Sequence, residues 1–125
     1  MVRAVRGATT INRNTADEII SGTLEVLTEI IKENSIDVED IISVFFTVTR
    51  DIDAEFPAVA ARKLGMTDIA LLCTYEIDVP GSMEKCIRVM LHFNTDKKNS
   101  DIRHIYLKEA RKLRPDLSSA LRDSK

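Results

Sequence analysis

One long amphipathic helix set among several strand-like segments is the feature that most limits how this chain can fold. Ile20, Leu24, Leu27 and Ile31 recur at spacings of three and four, and Ile19, Val26 and Ile30 widen the stripe toward a core. Just before it, Thr15-Ala16-Asp17-Glu18 matches a capping box, in which the threonine oxygen and the glutamate side chain satisfy free amides at a helix start. Asn34 supplies a stop. One such helix shields one face of a sheet. The apolar remainder of the strands is then expected to be buried between identical subunits.

The strands themselves are read from branched and aromatic residues. Residues 2–10 form a first strand with Arg6 near its end, and residues 41–49, with Val44, Phe45, Phe46 and Val48, read as a strand covered on both faces. Asp37 to Asp40 adds a short helical turn. Pro57 opens a short helix over 58–64 that Gly65 ends, and 69–75 reads as another buried strand. Val79-Pro80-Gly81-Ser82 is a turn. Over 86–94, Ile87, Val89, Leu91 and Phe93 point one way, leaving Cys86, Arg88, Met90, His92 and Asn94 on the opposite face. Residues 101–113 suit a helix by Ile102, Ile105, Ala110 and Leu113, and a strand by Ile105 and Leu107 around Tyr106. The order predicts an α+β domain over residues 1–117, a mixed sheet covered by one long helix, with 118–125 a mobile tail.

At 125 residues the chain suits one core that buries about two thirds of the surface its unfolded form exposes. The longest apolar run, 69–73, is far short of the roughly 20 residues of a membrane span, so no membrane passage is expected. Arg3 and Arg6 interrupt the N-terminus before any secretory apolar run develops, which predicts a cytoplasmic protein. Cys73 and Cys86 lack C-x-x-C spacing and form no ligand pattern with His92 and His104, so neither a metal nor a disulfide is expected. A net charge of -2 argues against a nucleic-acid surface. Any anion must be met by locally clustered arginines.

No G-x-S-x-G, glycine-rich phosphate loop or H-E-x-x-H is present, which removes the standard hydrolase and nucleotide readings. What remains is Arg6, Arg88 and Arg114 at predicted strand ends or faces, with Arg62 on the short helix. Their guanidinium forks suit carboxylates. Taken singly, Arg6 and Arg62 also read as solvated arginines, Cys73 and Cys86 as packing, Glu76 as a strand-end residue and Tyr106 as a core edge. The Phe45-Phe46 pair reads as core, and the two histidines as structural or solvated.

The segments Val5-Arg6-Gly7-Ala8-Thr9-Thr10, Phe56-Pro57-Ala58, Cys86-Ile87-Arg88-Val89-Met90, Ile102-Arg103-His104 with Tyr106-Leu107, and Leu113-Arg114-Pro115-Asp116-Leu117 occur in that order. In them the chain resembles the trimeric class of monofunctional chorismate mutase, from Arg3 to Leu117. The resemblance implies a chorismate mutase-like (ferredoxin-like) domain that assembles as a trimeric pseudo-α/β-barrel, with active sites between subunits and no cofactor. It also favours the strand reading around Tyr106. It implies that Arg88 bonds the ether oxygen of the breaking bond of chorismate, that Arg6 and Tyr106 hold a carboxylate, and that Glu76 and Cys73 face the ring hydroxyl. Phe56, Ala58 and Arg62 would line the opposite wall from the neighbouring chain, with Leu71 and Leu72 nearby, and Arg114 would sit where a C-terminal tail covers the site. Val59 and Leu72 depart from the lysine and threonine associated with the family, which bears on substrate affinity.

The implied isomerisation of chorismate to prephenate, a step toward phenylalanine and tyrosine, breaks one carbon-oxygen bond as one carbon-carbon bond forms, with no obligatory proton transfer or covalent intermediate. The missing triad is therefore no obstacle. Two other readings stay open: a trimeric enzyme that hydrolyses imines or enamines of keto acids, and a module that binds a carboxylate metabolite without turning it over.

Overall fold

In the computed structural model, which describes residues 1–114, the chain runs β1 (Val2–Thr10), α1 (Ala16–Glu33), β2 (Ile41–Val48), α2 (Ala58–Lys63), β3 (Ala70–Tyr75), β4 (Cys86–Asn94) and β5 (Ile105–Tyr106). Short 3-10 turns occupy Val38–Asp40, Asn99–Asp101 and Lys108–Leu113. The strands form one mixed sheet in the order β3-β2-β4-β1-β5. The central β4 is antiparallel to both neighbours, whereas β2 with β3 and β1 with β5 are parallel. This is an α+β domain. Its β-α-β-α-β-β-β order corrects the ferredoxin-like expectation, which needs β-α-β-β-α-β. The cause is the parallel β2–β3 pair, which requires a crossover that the segment carrying α2 supplies.

Helix α1 starts as its sequence predicts, because Thr15 Oγ1 accepts the Glu18 amide at 3.2 Å. Glu18 Oε1 reaches further back than a capping box requires, to the amides of Asn12 and Arg13 at 3.0 and 3.1 Å. The buried stripe is Ile19, Gly22, Thr23, Val26, Leu27 and Ile30, with Ile20, Leu24 and Ile31 at its half-buried margins. Two glycines set that rotation by letting α1 approach β1 closely. A Cβ on Gly7 would lie 2.6 Å from Ile30 Cδ1, and one on Gly22 3.1 Å from Ile11 Cγ2. Thr23 tolerates burial because its hydroxyl donates to the Ile19 carbonyl at 2.7 Å.

The main core joins Val26, Leu27 and Ile30 of α1 and Ala58 and Ala61 of α2 to Val44, Phe46, Val89 and Leu91 of the sheet. Each large side chain so buried contributes about 1.5–3 kcal/mol. Because α1 and α2 share this core, they cover the same sheet face. The other face is covered at its β1–β5 end, where Ala110 of the last 3-10 turn packs with Ala8, Cys86 and Tyr106, but is open along β2, which within one chain corrects the reading of β2 as covered on both sides: Phe46 is fully buried while Phe45 is 40% exposed. β3 is likewise an edge strand and not a buried one, with Leu72 55% exposed beside Phe45.

The ambiguous segment uses both of its readings in turn, since Ile105–Tyr106 pairs with β1 and a 3-10 turn follows. Asn34 does more than end α1. Its side chain accepts the Arg103 amide at 2.8 Å and donates to the Arg103 carbonyl at 3.0 Å, which fixes the approach to β5. Among the described residues no helix is long and apolar enough to cross a membrane. The expected tail at 118–125, like 115–117, lies outside the described residues.

Candidate active site

Register across the open face decides which side chains meet. Arg88 stands on β4 between Ala8 of β1 and Thr47 of β2, and one row along, Arg6, Met90, Phe45 and Leu72 are successive neighbours. Tyr106 lies against Ala8. A cavity of about 250 Å3 is lined by Arg6, Phe45, Thr47, Glu76, Arg88 and Tyr106, among others. Four residues picked out from the sequence, Arg6, Glu76, Arg88 and Tyr106, are thus gathered from four segments of the chain.

Glu76 follows β3 directly, and its amide donates to the Val48 carbonyl at 2.9 Å. Thr47 Oγ1 donates to Glu76 Oε1 at 2.5 Å, and Arg88 Nε lies 3.8 Å from the same oxygen. With the Arg88 side chain 45% exposed, a pair this open contributes about 0–1 kcal/mol. The strand, more than the carboxylate, holds the guanidinium. Beneath it Cys86 is buried with Ala8, Tyr106 and Ala110, and burial pushes its thiol pKa up, against a smaller opposing effect of Arg88.

Arg6 is anchored through its main chain, whose N–H donates to His104 Nδ1 at 3.0 Å. The ring is therefore neutral, and partial burial, then the charges of Arg6 and Arg114, hold its pKa below the usual histidine range. Arg114 thus lies near His104, at the Arg6 end of the cavity.

The remaining residues collect elsewhere. Cys73 packs against the helix-side core, where burial raises its thiol pKa while a hydrogen bond at Ala58 and the charge of Arg62 oppose the rise. It shares a cavity of about 510 Å3 with Phe56, which is 67% exposed. Leu71 leans on the core and Leu72 faces the open side. One chain therefore gathers Arg6, Glu76, Arg88 and Tyr106 on the open face and carries Phe56, Ala58, Arg62 and Cys73 apart from them.

Sequence reading missed Thr47, which fixes Glu76, and His104, which fixes Arg6. Alternation along β2 gives the parity of Thr47, but only register puts it opposite Arg88. Chemically, the open-face cavity presents two guanidinium groups, a carboxylate and a phenol, and its lining includes no serine, cysteine or histidine. Such a site is built to hold and polarise a small carboxylate. Among the described residues no cluster of histidine, cysteine and acidic side chains could hold a metal ion.

The model of the chorismate mutase type I family matches residues 2–117. The chain is 46% identical over 121 residues to the chorismate mutase AroH of Thermus thermophilus, covering 96% of this chain and 99% of that protein. It is 44% identical over 119 residues to the chorismate mutase AroH of Bacillus subtilis, with 94% of each covered. Among solved structures, a chorismate mutase from Clostridium thermocellum superposes with a TM-score of 0.86 at 58% identity, over 87% of this chain and 97% of that one.

Proposed function

The chain belongs to the chorismate mutase type I family, and from that premise we propose how its residues convert chorismate to prephenate. The chain is a chorismate mutase, an isomerase. The observation that carries the mechanism is Arg88, mounted on the central strand and lining the same small cavity as Arg6, Glu76 and Tyr106. As the ether bond of chorismate stretches, negative charge grows on its oxygen and on the enolpyruvyl fragment. A guanidinium held there stabilises the transition state more than the substrate. Arg6 and Tyr106 hold a carboxylate, which keeps the flexible arm folded over the ring in a reactive chair. Glu76 accepts a hydrogen bond from the ring hydroxyl and sets negative charge near a ring that gains positive character.

The second wall comes from a neighbouring copy in a homotrimer whose sheets pack as a pseudo-α/β-barrel. Two features support this: the uncovered apolar face carrying Phe45 and Leu72, and the separation of Phe56, Ala58, Arg62 and Cys73 from Arg88 within one chain. Cys73 then reaches the ring hydroxyl from the adjacent subunit as a neutral thiol, with Leu71 and Leu72 nearby. Arg114 adds positive charge at the Arg6 end of the site. Val59 and Leu72 leave this wall less polar than the lysine and threonine associated with the family, which bears on substrate affinity. We place the enzyme in the cytoplasm, in phenylalanine and tyrosine biosynthesis, with no cofactor. The test is a turnover assay on the purified protein, following loss of chorismate absorbance and appearance of prephenate, beside sedimentation. Binding without prephenate formation, or an active monomer, overturns the reading.

A further inference from the structure

Two residues beyond Arg103, where Asn34 clamps the chain, the polypeptide must join β1 as a parallel strand, and it does so with only two paired positions, Gly7 with Ile105 and Ala8 with Tyr106. One position earlier, the Arg6 amide finds no main-chain acceptor on that side. The imidazole of His104 takes the place, accepting the Arg6 N–H on Nδ1 at 3.0 Å. The ring is not free to wander. Arg103 before it is held by Asn34 and paired with Glu33 at 3.5 Å, and Ile105 after it is 8% exposed in the main core. The half-buried ring thus works as the edge acceptor for the residue whose guanidinium lines the cavity.

We propose that the neutral imidazole of His104 is a positioning residue for Arg6, so that its protonation loosens the hold on the substrate carboxylate and weakens binding in mild acid while sparing kcat. The proposal rests on Arg6 being the carboxylate ligand. A protonated ring brings an N–H against the Arg6 N–H at a spacing of 3.0 Å, and two donors cannot share it. One must move, and if the Arg6 contact with the carboxylate is lost as a result, affinity falls by roughly 2- to 13-fold, the range of one hydrogen bond. The added positive charge acts the other way, toward a carboxylate, but half-exposed charges are screened and are worth less than the geometry. The charged groups around the ring are Arg6 on β1 and Arg114 beyond the last turn, both of which favour the neutral form. Glu33 on α1 is engaged by Arg103, and in the last turn Lys108 and Glu109 pair with Glu25 and Lys112.

The experiment compares kcat and KM for chorismate between about pH 5 and 8 in the wild type, His104→Asn, His104→Gln and His104→Ala. Asparagine places its carbonyl oxygen where Nδ1 stands and does not titrate, whereas glutamine extends to the Nε2 position. The wild type should lose kcat/KM through KM below its histidine midpoint, which lies below the usual histidine range, and the loss should level off at roughly 2- to 13-fold once the ring is protonated. His104→Asn should keep the neutral KM and lack that acid limb. His104→Gln and His104→Ala should show KM raised by roughly 2- to 13-fold at every pH, the range of one lost hydrogen bond. A KM that falls in acid, an acid limb retained in His104→Asn, or three variants that behave alike overturns the proposal. Independently of any variant, the Arg6 amide and His104 ring resonances of the wild type should titrate with one midpoint, and two separate midpoints reject the coupling. Arg6→Ala assayed at neutral pH tests the role of Arg6 by itself.

Discussion

Replacing Arg88 with alanine separates a catalytic donor from a structural one. The side chain sits on the middle strand of the sheet, is 45% exposed, and has Glu76 at 3.8 Å as its ion-pair partner. Such an open pair is worth about 0–1 kcal/mol, and the exposed stem has little packing to lose. The fold should therefore lose no more than about 1 kcal/mol, a shift in melting temperature of about 2–8 °C. Removal of one preorganised donor at a developing negative charge costs about 2.7–4 kcal/mol of barrier, or roughly 100- to 1000-fold in kcat. The loss should fall on kcat and on kcat/KM together, since the interaction strengthens as the bond breaks. Arg88→Lys keeps the charge but loses the planar fork, and should fall between the two. Chorismate turnover beside thermal melts and sedimentation provides the assay. A folded Arg88→Ala enzyme with kcat within about tenfold of the wild type refutes the reasoning.

Other expectations concern the supports of the site and the fold. Thr47→Val removes the hydroxyl that donates to Glu76 at 2.5 Å but keeps the shape, so KM should rise by roughly 2- to 13-fold with little change in melting, as steady-state kinetics will show. Gly7→Ala should destabilise the protein by about 1–3 kcal/mol in urea unfolding, because its Cβ would press on Ile30 Cδ1 at 2.6 Å. Both thiols, Cys73 and Cys86, have folded pKa values raised above the ordinary 9.0, chiefly by burial. The folded state then holds these protons more tightly than the unfolded state, so the contribution is complete below the ordinary value and is lost as pH climbs from there through the raised folded pKa. Urea melts across the alkaline range should show this slope, and it should flatten in Cys73→Ala/Cys86→Ala.

Much of the local structure was legible because it depends on neighbours along the chain. The Thr15 cap, the stop at Asn34, the Gly65 terminator in its positive-φ conformation and the buried Ile87, Val89, Leu91 and Phe93 all follow from short spacings. Where the reading failed, the cause was long-range. The apolar run 41–49 read as covered on both faces and 69–75 as a buried strand, yet α1 and α2 share one face and leave Phe45 and Leu72 open. The stripe of α1 was displaced because close approach at Gly7 and Gly22 rotates the helix, and a glycine has no hydrophobicity with which to announce that.

The residues by themselves determined the element order, the inward face of β4 and a set of arginines suited to carboxylates, since strand and helix periods are properties of the local backbone. Only the folded chain decided that Thr47 would hold Glu76, that Arg88 would share a cavity with Arg6, and that a histidine 98 residues away would hold the Arg6 amide. Register and the choice of which face is covered are set by contacts between distant segments. No spacing along one strand encodes what stands across from it.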